Sequence, residues 1–156
     1  MQNKIEQLRV AIAEQILRAS TKNMFWDIAH MSGVSRFCAV LAMKRGLDPE
    51  LSTACGLLHD VFYMTGHGVE NHAINGAKPA REFLESAGFS ADEIEIIATA
   101  VSRHSDKKLI HEPYDELLKD ADVMDHFFHN ASVSVAEWEE LRHKNLLAEF
   151  GLSERR

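Results

Sequence analysis

Cysteine is almost missing from this chain. Cys38 and Cys55 are the only two in 156 residues, each set in an apolar stretch. With no Cys-x-x-Cys pair, a disulfide framework and a thiolate zinc site are both excluded, and the two thiols read as core fillers in a reduced, cytoplasmic compartment. Residues Met1 to Glu6 are polar and carry no apolar leader segment. No apolar run approaches the roughly 20 residues that span a bilayer, so no membrane partner is expected. Alternating β-branched residues and hairpin turn signals are also lacking, which argues against a sheet. Basic charge is in deficit: 17 Lys and Arg stand against 24 Asp and Glu, a net charge of −7. Without a basic stripe to meet phosphates, a nucleic-acid duplex is excluded as a partner. A small anionic substrate stays compatible, because a bound cation reverses the local field.

Helical signals fill the chain instead. Ile5, Leu8, Ile12, Ile16 and Leu17 give a first amphipathic helix over about Lys4 to Ser20. Met24 to Arg45 gives a second, with Gly46 as its C-terminal cap. Asp48-Pro49-Glu50 opens a third, running to about Tyr63, with Thr65 to Gly68 as a following loop. His72 to about Ala87 is a fourth; Pro79 inside it predicts a kink, or a later start near Lys78. Ser90 and Glu93 have capping-box spacing for a fifth helix through about His104. Pro113 to about His129 is a sixth, Ser134 to about Phe150 a seventh, and the tail Ser153 to Arg156 reads as frayed. At 156 residues this makes one all-α domain, a bundle of roughly six to eight helices, its motif-bearing core at 24–130 and its C-terminal helix at 134–150.

Against this apolar pattern His59-Asp60 stands out, an ionisable doublet ending the oily run Leu57-Leu58. Burying such a pair costs heavily unless something compensates, and a divalent cation compensates imidazole and carboxylate together. His30 falls on the apolar side of the second helix, His104 on the face of Ile97 and Val101, and Asp122 on the face of Leu118. Four helices therefore each aim a potential ligand inward, the way helical folds build metal sites. Imidazole and carboxylate donors suit one or two divalent transition-metal ions: Mn, Fe, Co, Ni or Zn. Neighbouring residues on a helix point about 100° apart, so His59 and Asp60 either share one ion at its edge or Asp60 bridges two. Any single inward histidine is more often a hydrogen-bonded core residue; the joint pattern is what points to metal. His67, His111, His126, His129 and His143 read as loop or surface positions without a partner pattern, and Lys78, Arg81, Lys107 and Lys108 as ordinary surface charges.

His30, His59-Asp60 and Asp122, in helices of this order, resemble the HD-domain superfamily of metal-dependent phosphohydrolases. The resemblance covers about Trp26 to Asp125 and includes Leu57-Leu58-His59-Asp60, His72-Ala73-Ile74-Asn75-Gly76-Ala77 and Asp120-Ala121-Asp122. It implies an HD-type all-α fold. It implies a first metal held by His30, His59, Asp60 and Asp122, and a second that recruits His72 and His104 with Asp60 shared. It implies cleavage of a small phosphate ester, of a nucleotide in many members, by metal-activated water, with Asp60 and Asp122 as catalytic carboxylates. Two features depart from the pattern. Many members carry a lysine shortly after the doublet, where this chain has Val61-Phe62-Tyr63-Met64-Thr65-Gly66. A frequent second histidine after the fourth ligand is replaced by Ser105, leaving Arg103 as the candidate phosphate contact beside the plainer reading of a solvated helix-end arginine. A metal- or nucleotide-binding regulatory module without turnover, a di-iron oxygenase of the same superfamily, and a plain helical domain are the competing readings. Trp138, Phe127 and Phe128 leave a homodimer open.

Overall fold

The computed structural model describes residues 3–153, and among them there is helix and no strand. Seven α-helices follow in order: α1 (Lys4–Ala19), α2 (Met24–Arg45), α3 (Pro49–Leu58), α4 (His72–Ser86), α5 (Ala91–Arg103), α6 (Pro113–His129) and α7 (Glu140–Phe150). Local chemistry sets most of the boundaries. Asn3 caps α1, and Asp48 accepts from the amides of Glu50 and Leu51 ahead of Pro49. Ser90 and Glu93 close a reciprocal capping box on α5. Of the expected frayed tail, Glu154 to Arg156 lie outside the described residues.

The core is one apolar cluster. Leu8, Ile12 and Ile16 of α1, Val34, Cys38 and Leu41 of α2, and Leu57 and Leu58 of α3 pack with Ile97 and Val101 of α5 and Leu117 and Leu118 of α6. Both cysteines are buried within it and unpaired. Helix α2 lies against α3 and α6, α4 against α5, and α5 against α6. The approach of α2 to α3 requires Gly56, where a Cβ would stand 2.6 Å from the Cα of Ser35.

Four features differ from the sequence expectation. Helix α3 stops at Leu58, and the doublet forms the turn that ends it. The segment expected as a loop is a π-helical turn, Tyr63–His67, kinked at Gly66 (φ 91°) and closed by Gly68. Insertions of this kind gather at functional sites. Helix α4 runs unbroken through Pro79; Asn75, whose carbonyl loses its helical partner, is exposed, so water can replace the lost bond. The seventh helix starts later than Ser134, with a 3₁₀ turn at Glu137–Glu139 ahead of α7.

Candidate metal centre

Helices α2, α3, α4, α5 and α6 meet around Asp60. Its Oδ1 lies 3.1 Å from His72 Nε2 and 3.2 Å from His104 Nε2. Its Oδ2 lies 3.3 Å from His59 Nε2 and 4.0 Å from His30 Nε2. Asp122 completes the second group, with Oδ1 3.3 Å from His30 Nε2. The six residues singled out in the sequence are thus brought together in two sets, His30, His59 and Asp122 on one side and Asp60, His72 and His104 on the other, with Asp60 turned to both.

How each imidazole is held fixes which nitrogen faces inward. His59 Nδ1 donates to the carbonyl of Gly56 at 2.8 Å, and His104 Nδ1 to that of Val101 at 2.8 Å. Both histidines cap the C-terminal ends of their helices, where carbonyls lack intrahelical partners. His72 opens α4 after Asn71, whose left-handed backbone (φ 50°) Asn tolerates, and its Nδ1 donates to Val69 at 2.9 Å. A carbonyl only accepts, so in these three rings Nδ1 carries the proton and Nε2 presents a lone pair. His30 Nδ1 instead meets Asp125 Oδ2 at 2.7 Å. Gly33, one turn along α2, makes that possible: a Cβ there would fall 1.7 Å from Asp125 Oδ1.

The Nε2 atoms therefore converge. His30 and His59 stand Nε2 to Nε2 at 3.1 Å, and His72 and His104 at 3.2 Å. Oδ1 of Asp60 and Oδ1 of Asp122 are buried with no hydrogen bond, though imidazole nitrogens surround them. Acceptors packed on acceptors repel unless a cation lies among them. Donors that share an ion at about 2.1 Å stand roughly 3.0–3.4 Å apart in octahedral or tetrahedral geometry, the spacing found here. The residues fit a transition-metal centre, and the inner-facing Nε2 with an anchored Nδ1 is the usual support of a metal-ligating histidine.

Electrostatics agree. Burial pushes the Asp60 carboxyl up, but His59, His104 and His72 hold it well below the usual carboxylate range. Burial likewise opposes ionisation of Asp122, and Lys107, His30, His59 and His126 outweigh it and hold it well below. Burial pushes His30 down, yet Asp122 and Asp125 carry it up to about 10. Burial lowers His104, keeping it neutral and competent as a donor.

Two side chains passed over in the sequence sit at this centre. Lys107, read there as an ordinary surface charge, has a side chain only 8% exposed, with Nζ on Asp122 Oδ2 and donating to the carbonyl of His104. It comes from the loop between α5 and α6, and no periodicity could have placed it. His126, read as partnerless, has Nε2 3.5 Å from Asp122 Oδ1 and its ring stacked on His30. Its position four residues after Asp122 on one helical face was a signal available in the sequence. His143 is buried against Phe127 rather than on the surface, and His111 accepts from the buried Lys119. Arg103 places its guanidinium on Asp115 Oδ2 at 2.8 Å, about 10 Å along α6 from Asp122 at seven residues' rise.

Comparison with known proteins covers the segment that carries these residues. The model of the HD domain family matches residues 27–128. Ribonuclease Y of Clostridium tetani is 35% identical over 78 residues, 49% of this chain and 13% of that protein. Ribonuclease Y of Clostridium botulinum is 39% identical over 61 residues, 38% of this chain and 12% of the relative. That of Clostridium kluyveri is 28% identical over 98 residues, 62% and 18%. The chain therefore spans less than a fifth of the length of these relatives. No solved structure matches it.

Proposed function

The chain belongs to the HD domain family, and from that premise we propose that it is a metal-dependent phosphohydrolase acting on a small phosphate ester of nucleotide type. The observation that carries the reading is Asp60, whose two oxygens each face a pair of imidazole Nε2 atoms, with no hydrogen donated to Oδ1. A carboxylate so placed is suited to bridge two divalent ions among Mn, Fe, Co, Ni and Zn. The relatives' name, ribonuclease, supports a phosphoester of a nucleotide as the bond cleaved.

In this reading His30, His59 and Asp122 would hold one ion and His72 and His104 the other, with Asp60 available to both. Bound ions would supply Lewis acidity and an acidified water. The chain's own groups do the rest. Asp122, kept ionised by Lys107, would orient the attacking water by accepting a hydrogen bond from it. Lys107 Nζ, already at the centre beside Asp122, offers the ammonium that the segment after the doublet lacks, and we assign the phosphate contact to it rather than to Arg103, whose partner Asp115 lies about 10 Å along α6 from Asp122. The anchored Nδ1 groups of His59, His72 and His104 keep their rings aimed without reorganisation during the reaction.

The test is elemental analysis of purified protein, followed by assay of the metal-stripped chain with Mn, Co, Ni or Mg. Substrates are nucleoside monophosphates, a bis-aryl phosphodiester and a short single-stranded RNA. Metal near two ions per chain, with turnover of one ester class that His59→Ala abolishes, is the expected result. Retained metal with no turnover of any ester sinks the hydrolase and favours a binding module; oxygen consumption by an iron-loaded form favours the oxygenase.

A further inference from the structure

The His-Asp centre accounts for six residues, yet the structure holds a fifth imidazole built in the same manner as the four within it. In each of those four, Nδ1 is fixed by an oxygen, a backbone carbonyl for His59, His72 and His104 and the Asp125 carboxylate for His30, while Nε2 faces a carboxylate of the centre. His126 repeats the arrangement. Its Nδ1 meets Glu139 Oε1 at 2.9 Å, and its Nε2 points at Asp122 Oδ1 from 3.5 Å.

Three further facts separate His126 from a chance neighbour. Its ring lies parallel to that of His30, with 5.0 Å between centroids and 3° between planes. Both Nε2 atoms consequently address the same oxygen, His30 from 3.3 Å and His126 from 3.5 Å. That oxygen is buried and receives no hydrogen bond. Glu139 is itself buried at 3% exposure, although it belongs to the short 3₁₀ turn before α7 rather than to any core helix. Burying a carboxylate there is costly unless it does something, and what it does is fix His126. Finally, a separation of 3.5 Å is too long for a good N–H···O bond, whereas two donors on one ion at about 2.1 Å stand nearly that far apart.

We infer that His126 is an additional metal ligand of this centre, held in place by Glu139 as its positioning residue and closing the solvent-facing edge beside Asp122. The inference rests on the metal-centre reading above and goes beyond its six-residue set. With 38% of its side chain exposed, His126 would be the ligand most open to exchange with water or with an incoming phosphate oxygen.

The experiment is titration of the metal-stripped full chain with Co²⁺, followed by visible absorption, whose intensity and position depend on the number and kind of donors. Wild type is compared with His126→Ala, His126→Gln, Glu139→Gln, His72→Ala and His59→Ala, with far-ultraviolet circular dichroism checking each fold. Both His126 variants are expected to weaken Co²⁺ binding at least tenfold and to change the spectrum. Glu139→Gln is expected to weaken binding about tenfold through loss of the outer partner. His72→Ala should alter the remaining absorption in a different way, since it removes a donor from the other side of Asp60. Wild-type affinity and spectrum in both His126 variants overturn the inference while leaving the centre intact. Weaker binding with an unchanged spectrum overturns it too, since charge or packing alone would then be responsible. Absence of Co²⁺ binding by wild type, or wild-type binding by His59→Ala, overturns the metal centre itself.

Discussion

At the scale of single residues, the centre depends on small devices outside the ligand set. Gly33 is one. The space where its Cβ would be is filled by the Asp125 carboxylate, and only that overlap lets Asp125 reach His30 Nδ1. Gly33→Ala must expel Asp125, leaving His30 free to rotate. Loss of an outer-shell partner of a ligating histidine weakens metal binding about 10–100-fold, so Gly33→Ala and Asp125→Asn should both fall in that range by metal titration. Equal affinity in the two variants and wild type would dismiss Asp125 as a support. Lys107 is a second device. In the metal-free chain it is the lysine paired with the buried Asp122. Removing one member of a buried pair costs about 3–5 kcal/mol. Lys107→Met should therefore lower the melting temperature of metal-free protein by roughly 6–20 °C, at about 2–4 °C per kcal/mol for this size. Divalent metal should return most of that loss, because a cation can take over the charge on Asp122.

At the scale of elements, the sequence made some things plain and hid others for identifiable reasons. Helices α2, α5 and α6 were legible because caps and apolar spacing agree: Gly46 ends α2, Ser90 with Glu93 starts α5, and Pro113 starts α6. The inward positions of His30, His104 and Asp122 followed from the same periodicity. The turn at His59-Asp60 was not legible, since the apolar stretch runs on through Val61 and Phe62 and nothing in it marks a break. The imidazole that relieves the Gly56 carbonyl becomes visible only in three dimensions. Lys107 escaped for another reason. Its loop is placed by α7, where Arg142 donates to the carbonyl of Lys107 at 2.7 Å and binds Asp120 and Glu116 at 2.8 Å each. Lys119 holds the same loop from α6 through the carbonyl of Leu109. The contacts of Arg142 join positions more than twenty residues apart and leave no local pattern. Arg142→Ala should accordingly speed amide exchange across residues 105–112 while protection of α2 and α3 stays as in wild type. Unchanged exchange in that loop would mean that Lys119 alone fixes it.

At the scale of the whole molecule, the site concentrates opposing charges that make stability depend on pH in a way metal should reverse. Asp60 and Asp122 have carboxyls held well below the ordinary value. Their ionised forms stabilise the fold above about pH 4, the value expected when unfolded, and that contribution drains away as pH falls further. His30 is shifted the other way, up to about 10 by Asp122 and Asp125 against the opposing effect of burial. Its proton stabilises the folded chain fully below about pH 6.5, and the contribution vanishes as pH climbs from there toward 10. Metal-free protein should thus be most stable between about pH 4 and 6.5, with a melting temperature that declines steadily on the alkaline side. A divalent ion competes with the His30 proton for Nε2, so metal binding must tighten as pH rises through the same window. Saturating Mn²⁺ or Co²⁺ should therefore raise the melting temperature more at pH 8 than at pH 6 and flatten the alkaline decline. A metal-induced increment that is the same at both values would mean that the ion binds somewhere the His30 proton does not reach.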